Sequence, residues 1–162
     1  MTCAGVGKTV IAAFDYKCFK QTYQRARLLF VAHRKEILEQ SIQTVQEILN
    51  DFNFGELYVD GRKPTNIDHL FISIQSFNSA CLAQWTTPDF YDYICVDEFH
   101  HAAAASYQDL LAYYRPKILL GLTATPDRMP RNESEVLMRP NSPLSMGGLY
   151  CFLESRDCWN HT

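Results

Sequence analysis

Four short apolar runs are spread along the chain, with helix-patterned stretches between them. They are Leu28-Leu29-Phe30-Val31-Ala32, Leu70 to Ile74, Tyr91 to Val96 and Ile118 to Leu122. Such runs are the signature of strands buried on both faces. Between the first two, His33 to Asn50 places Leu38, Ile42, Val45 and Leu49 on one helical stripe, widened by Ile37 and Ile48. Further helices are predicted over Val10 to Tyr23, Gln75 to Gln84 and Ala102 to Tyr114, the last stopped by Arg115-Pro116. A weak strand is expected at Leu57-Tyr58-Val59, before the turn signal Asp60-Gly61. Strands alternating with helices predict an α/β fold, a mostly parallel sheet with helices on both faces. In such sheets ligands gather at the carboxyl ends of the strands.

Size and charge narrow the function classes. The chain has 162 residues, enough for one domain with one core. Its net charge of −3 excludes a protein that coats nucleic acid by bulk charge, although a local basic stretch runs from Arg25 to Lys35. Six cysteines, at 3, 18, 81, 95, 151 and 158, show no C-x-x-C spacing. They are expected to be mostly buried free thiols, which favours a reducing cytoplasm. No segment is apolar enough for a membrane span, and no signal peptide is visible. Four of the seven prolines fall between 126 and 143, followed by Gly147-Gly148. The pattern therefore divides into a domain over 1–127 and an irregular tail over 128–162, possessing neither a helical nor an alternating period.

Gly5-Val6-Gly7-Lys8-Thr9 precedes the first helix. A phosphate cradle needs glycines so that backbone N–H groups can turn toward oxygen anions. It needs a lysine for the outer phosphates and a hydroxyl for Mg²⁺. The helix N-terminus adds the positive end of its dipole. Thr2 stands where the full motif has a further glycine, so a chance glycine turn is the competing reading. A phosphate loop also follows a strand, and the sheet is expected to lack that first strand here.

Ile94-Cys95-Val96-Asp97-Glu98-Phe99-His100 sets two acids directly after an apolar run. Phosphoryl transfer needs one acid to hold Mg²⁺ through its water shell, a role that fits Asp97. It needs another to orient and deprotonate water, a role that fits Glu98. Solvated acids at a strand end would look the same in isolation. Thr123 and Thr125, one residue apart after the last run, could bond to the acid loop, or form an ordinary polar turn closed by Pro126.

The ordered set Gly5 to Thr9, Phe30 to Arg34, Ile72 to Ser76, Asp97-Glu98-Phe99-His100 and Thr123-Ala124-Thr125 resembles motifs I, Ia, Ic, II and III of superfamily 2 helicases. The acid box places the resemblance with the DExH branch. The wording around Val31 to Leu38 and Phe99 to Ala102 is similar to bacterial helicases grouped with the restriction subunit of type III restriction enzymes. The resemblance covers about residues 1–128 and implies a RecA-like P-loop domain that binds ATP and Mg²⁺.

It further implies site residues. Gly5, Val6, Gly7, Lys8 and Thr9 would bind nucleotide, with Lys8, Asp97 and Glu98 catalytic and Thr9 and Asp97 on Mg²⁺. His33, Arg34, Ser73 and Gln75 would follow a nucleic-acid strand, DNA by resemblance. His100, Thr123 and Thr125 would couple the two sites. The competing readings are a solvated helix-start cation for Arg34 and helix-cap polarity for Ser73 and Gln75. The transition-state arginine would come from a second RecA-like domain, in cis or in trans. Hydrolysis by this chain alone is therefore expected to be weak. A non-catalytic module that binds nucleic acid or a partner is the alternative. A P-loop ATPase of another class, such as a transporter subunit, needs signature segments not seen here.

Overall fold

The computed structural model describes residues 6–99, 105–123 and 150–155. Helix α1 spans Val6–Thr22, β1 Leu28–Ala32, α2 Lys35–Leu49, β2 Glu56–Tyr58 and β3 His69–Ser73. Helix α3 spans Ile74–Ala80, followed by a 3₁₀ turn at Leu82–Gln84. Strand β4 spans Tyr93–Asp97, α4 Ala105–Tyr113, β5 Ile118–Thr123 and β6 Tyr150–Ser155. The sheet has six strands in the order β2-β3-β1-β4-β5-β6. Strands β1 to β5 are parallel, and β6 runs antiparallel on β5.

Alternate residues of each central strand feed two separate cores, as the two-residue period of a strand requires. Leu28, Phe30 and Ala32 join Phe71, Tyr93, Cys95 and Leu120 beneath α1 and α2, whose Ala12, Tyr16, Leu38 and Val45 complete that layer. Leu29 and Val31 join Leu70, Ile72, Ile94 and Val96 beneath α3 and α4, with Phe77, Tyr107 and Leu110. Both faces of the sheet are thus covered, and the α/β architecture is as expected. The stripe read on α2 is the one it buries: Leu38, Ile42 and Val45 are buried, and Leu49 is partly so.

Several boundaries differ from the sequence reading. Helix α1 begins at Val6, so Gly7, Lys8 and Thr9 form its first turn rather than a loop before it. Unpaired N–H groups at a helix start tolerate glycine there. The helix after β3 breaks at Cys81, whose φ of 50° is left-handed, and resumes as a 3₁₀ turn. Tyr91 is not in a strand: its hydroxyl donates to the Ile67 carbonyl at 2.9 Å. Strand β4 therefore starts at Tyr93 and carries Asp97 as its last residue. Residues 128–162 were expected to hold no regular element, yet Tyr150–Ser155 forms β6, with Gly121 opposite Phe152. The apolar run Tyr150-Cys151-Phe152-Leu153 was its signal, too short to stand out by period alone.

The thiol expectation holds in part. Cys95 is buried, whereas Cys18 and Cys81 are exposed, and none of the three is in a disulfide. Cys18 lies on a helix, but on its outer side. Among the described residues no helix is long and apolar enough to cross a membrane.

Candidate functional site

Helices α1 and α2 run side by side in the same direction. Thr9 Oγ1 lies 3.5 Å from Ser41 Oγ, and one turn pair further on Lys17 Nζ donates to the Ile48 carbonyl at 2.8 Å. Helix α2 starts where β1 ends, so the N-terminus of α1 lies at the carboxyl edge of the sheet. Its first turn contains no acidic side chain. A Cβ built on Gly7 meets nothing within 4 Å, so open space lies over that turn. A helix start with the positive end of its dipole, Lys8 and open space are features that can receive an anion. Thr9 is buried, with its hydroxyl toward Ser41. That contact is at the long limit of a hydrogen bond.

The same edge carries the acids. Asp97 is buried, and its Oδ1 accepts the Glu98 N–H at 2.9 Å. Glu98 is partly exposed and adopts a φ of 55°, a left-handed conformation that is costly for a residue with a side chain. The next residue explains how the turn is held. A Cβ on Gly121 would stand 2.5 Å from Phe99 Cγ, so the Phe99 ring sits where Gly121 has no side chain. Phe99 thereby seats the acid box on β5, the strand that leads to Thr123. A glycine inside an apolar strand run was the available signal for this close approach.

The donors near this edge are oxygen atoms, the kind Mg²⁺ prefers. Among the described residues no group of three or more His, Cys, Asp or Glu side chains could hold a metal by itself. Mg²⁺ at a phosphate site rests largely on water and phosphate, and a single carboxylate with a hydroxyl suits that mode. Asp97 and Thr9 are the kinds of donor that this mode uses.

A groove of about 540 Å³ opens at the carboxyl ends of β1 and β3, lined by His33, Lys35, Asp60, Ser73, Gln75 and Ser79 among others. Gln75 Nε2 lies 3.1 Å from His33 Nδ1, bridging the ends of β1 and β3. Lys35 Nζ meets Asp60 Oδ2 at 2.9 Å, and this hydrogen bond holds the ammonium pKa above its usual value. Asp60 and Gly61 both have positive φ, and Arg62 N–H closes the turn on the Val59 carbonyl at 3.0 Å. Arg34 is exposed at the N-cap of α2 and makes no capping bond. Ser73 behaves as helix-cap polarity predicts: its Oγ accepts the Ser76 N–H at 3.1 Å and donates to Ser76 Oγ.

The structure thus brings His33, Ser73 and Gln75 to one groove, and Lys8, Thr9, Asp97 and Glu98 to the same sheet edge. Gly5, His100 and Thr125 lie outside the described residues, while Val6 and Thr123 are placed by backbone only, at the start of α1 and the end of β5. The basic stretch Arg25 to Lys35 does not act as one patch. Strand β1 separates Arg27 from Arg34 by roughly 20 Å at about 3.3 Å per residue. Arg27 is spent at the opposite edge, on Asp68 at 2.8 Å and over the Phe90 ring. Sequence reasoning missed Lys35, Asp60, Phe99 and Gly121. It also missed Tyr107, a buried phenol on α4 whose pKa is raised to about 12 by burial and by the charges of Glu98 and Asp97.

A family model described as type III restriction enzyme, res subunit, matches residues 1–128. A "51.5 kDa protein" of Lactococcus phage (isolate 7-9) is 32% identical over 125 residues, which are 77% of this chain and 23% of the phage protein. The chain therefore spans well under two thirds of that relative's length.

Proposed function

This chain belongs to the type III restriction enzyme res-subunit family, and from that premise we propose that it is the nucleotide-binding half of an ATP-driven motor acting on DNA. The observation that carries the reading is convergence. The start of α1, the acids after β4 and the groove after β1 and β3 share one sheet edge, where α/β proteins bind ligands.

In this reading the backbone N–H groups of residues 5–9 and the Lys8 ammonium bind the phosphates of ATP. Asp97 and Thr9 would hold Mg²⁺ largely through water, and the ion would supply positive charge to the transferring phosphate. Glu98 orients the attacking water and takes its proton. Phe99 on Gly121 ties any shift of the acid turn to β5, and through its end to Thr123, with His100 and Thr125 as further coupling residues. His33, Arg34 and Gln75 meet the phosphates of a DNA strand, with Ser73 shaping the turn beneath them. A second RecA-like domain, in cis or in trans, supplies the arginine that speeds transfer by about 10³ to 10⁵. The reading sets this work in a reducing cytoplasm, which suits the free thiols.

The test is a titration of the chain with AMP-PNP and Mg²⁺. Saturable binding is expected, weakened at least about tenfold by Lys8→Ala because the cation on the outer phosphates is lost. Glu98→Gln should bind as the parent does and show no ATP turnover above background. Undiminished binding by Lys8→Ala would refute the phosphate site. For the nucleic-acid face, labelled single-stranded DNA should bind with a salt-dependent affinity that Arg34→Ala lowers.

A further inference from the structure

Tyr107 is buried, 2% exposed, and its hydroxyl has no hydrogen-bond partner among the described residues. Buried hydroxyls are nearly always paired, and an unpaired one destabilises the fold. A phenylalanine would fill the same place among Val96, Leu110 and Phe77 without that cost. Packing therefore accounts for the ring and leaves the oxygen unexplained.

The surroundings supply a reason. Tyr107 packs in one core layer with Val96 and Phe99, the residues on either side of Asp97 and Glu98, and its phenol is a donor kept protonated by burial and by the charges of those two acids. Both acids are acceptors. Asp97 Oδ1 already takes the Glu98 N–H, which makes Glu98 the acceptor with more room to move. Glu98 also stands in a left-handed backbone conformation that a bound ligand can exchange for another.

We propose that Tyr107 is a positioning residue that donates its buried hydroxyl to the Glu98 carboxylate when nucleotide closes the acid turn. The inference rests on the reading of Glu98 as the base. In the resting chain the donor is unsatisfied. Nucleotide binding pairs it, so α4 favours the closed turn and sets the direction of the Glu98 oxygens. A ligand shifts an equilibrium only through such a difference between two states.

The experiment compares the chain with Tyr107→Phe, Glu98→Ala and the double variant, by thermal unfolding and by AMP-PNP·Mg²⁺ affinity. Tyr107→Phe should unfold at the same temperature as the parent or higher without nucleotide. It should bind AMP-PNP about three- to tenfold more weakly, the size of one hydrogen bond. The double variant should bind no more weakly than Glu98→Ala alone, since the two groups act as a pair. A lowered unfolding temperature for nucleotide-free Tyr107→Phe would mean that the hydroxyl is already partnered, and would overturn the proposal. Unchanged affinity, or losses that add, would overturn it too. A parent chain that does not bind AMP-PNP would bring down the nucleotide reading itself, and the Tyr107 role with it.

Discussion

The two ends of the sheet are built on opposite terms. At the amino end nearly every polar group is used. The Asp92 carboxylate takes the Arg27 N–H at 3.0 Å and pairs with the Lys117 ammonium. The Asp92 carbonyl takes the N–H groups of Lys117 and Ile118, and the Arg27 carbonyl takes those of Asp92 and Tyr93. His69 Nδ1 accepts the Leu28 N–H at 3.3 Å, and its ring stacks on Phe54. At the carboxyl end Gln75 and His33 meet at an exposed contact, Lys35 is held by an exposed acid, Glu98 is strained, and the Tyr107 hydroxyl is unpaired. One end registers the strands, and the other holds exposed polar contacts, a strained acid turn and one buried hydroxyl without a partner among the described residues. Under the proposed function, stability and binding are separated along the strand direction of one sheet.

That contrast can be broken most strongly at Asp92. Asp92→Ala removes the acceptor for a backbone N–H and the partner of Lys117, and should cost about 2 to 3 kcal/mol in denaturant unfolding. Its AMP-PNP affinity in the folded state should not change. A cost near zero would mean that the amino end is not the clamp described.

Acid is the next test. Burial, then the nearby Lys20 charge, lowers the His69 pKa from 6.5 to about 4. The unfolded chain therefore binds more protons than the folded one between those values. His69 contributes fully above pH 6.5, and its contribution falls away as pH drops toward 4. Allowing for partial exposure, the loss should be about 2 kcal/mol. His69→Gln should flatten that part of the pH–stability curve, and an unaltered slope would remove His69 as its cause.

The smallest effect has the opposite sign. Glu98→Gly relieves the left-handed strain and should raise stability by about 1 kcal/mol while abolishing turnover. A loss of stability would mean that the Glu98 side chain supports the resting fold.

Elements whose signal is local were legible in the residues. The buried strands and α2 declared themselves by period, and the acids at the end of β4 by their place after an apolar run. The ends of α1 and α3 were not, because a left-handed Cys81 and a helical Gly7 depend on what packs around them. Strand β6 escaped notice because pairing with β5, and not its own pattern, makes it a strand. At the site, Ser73 could be read as a nucleic-acid contact or as strand-end and helix-cap polarity, and its bond with Ser76 shows that it caps α3.

The order of residues by itself determined the α/β class, the covered faces of the sheet and the presence of phosphate-loop and acid motifs. These follow from side-chain period and from residue chemistry at strand ends, both local properties of a chain. Tertiary structure alone decided that Arg27 and Arg34 serve opposite edges, that Phe99 rests on Gly121, that Lys35 answers to Asp60, and that Tyr107 shares a core layer with Val96 and Phe99. Each of these joins residues from different elements. Which residues meet is set by strand order and register, and those are fixed only when the whole sheet packs.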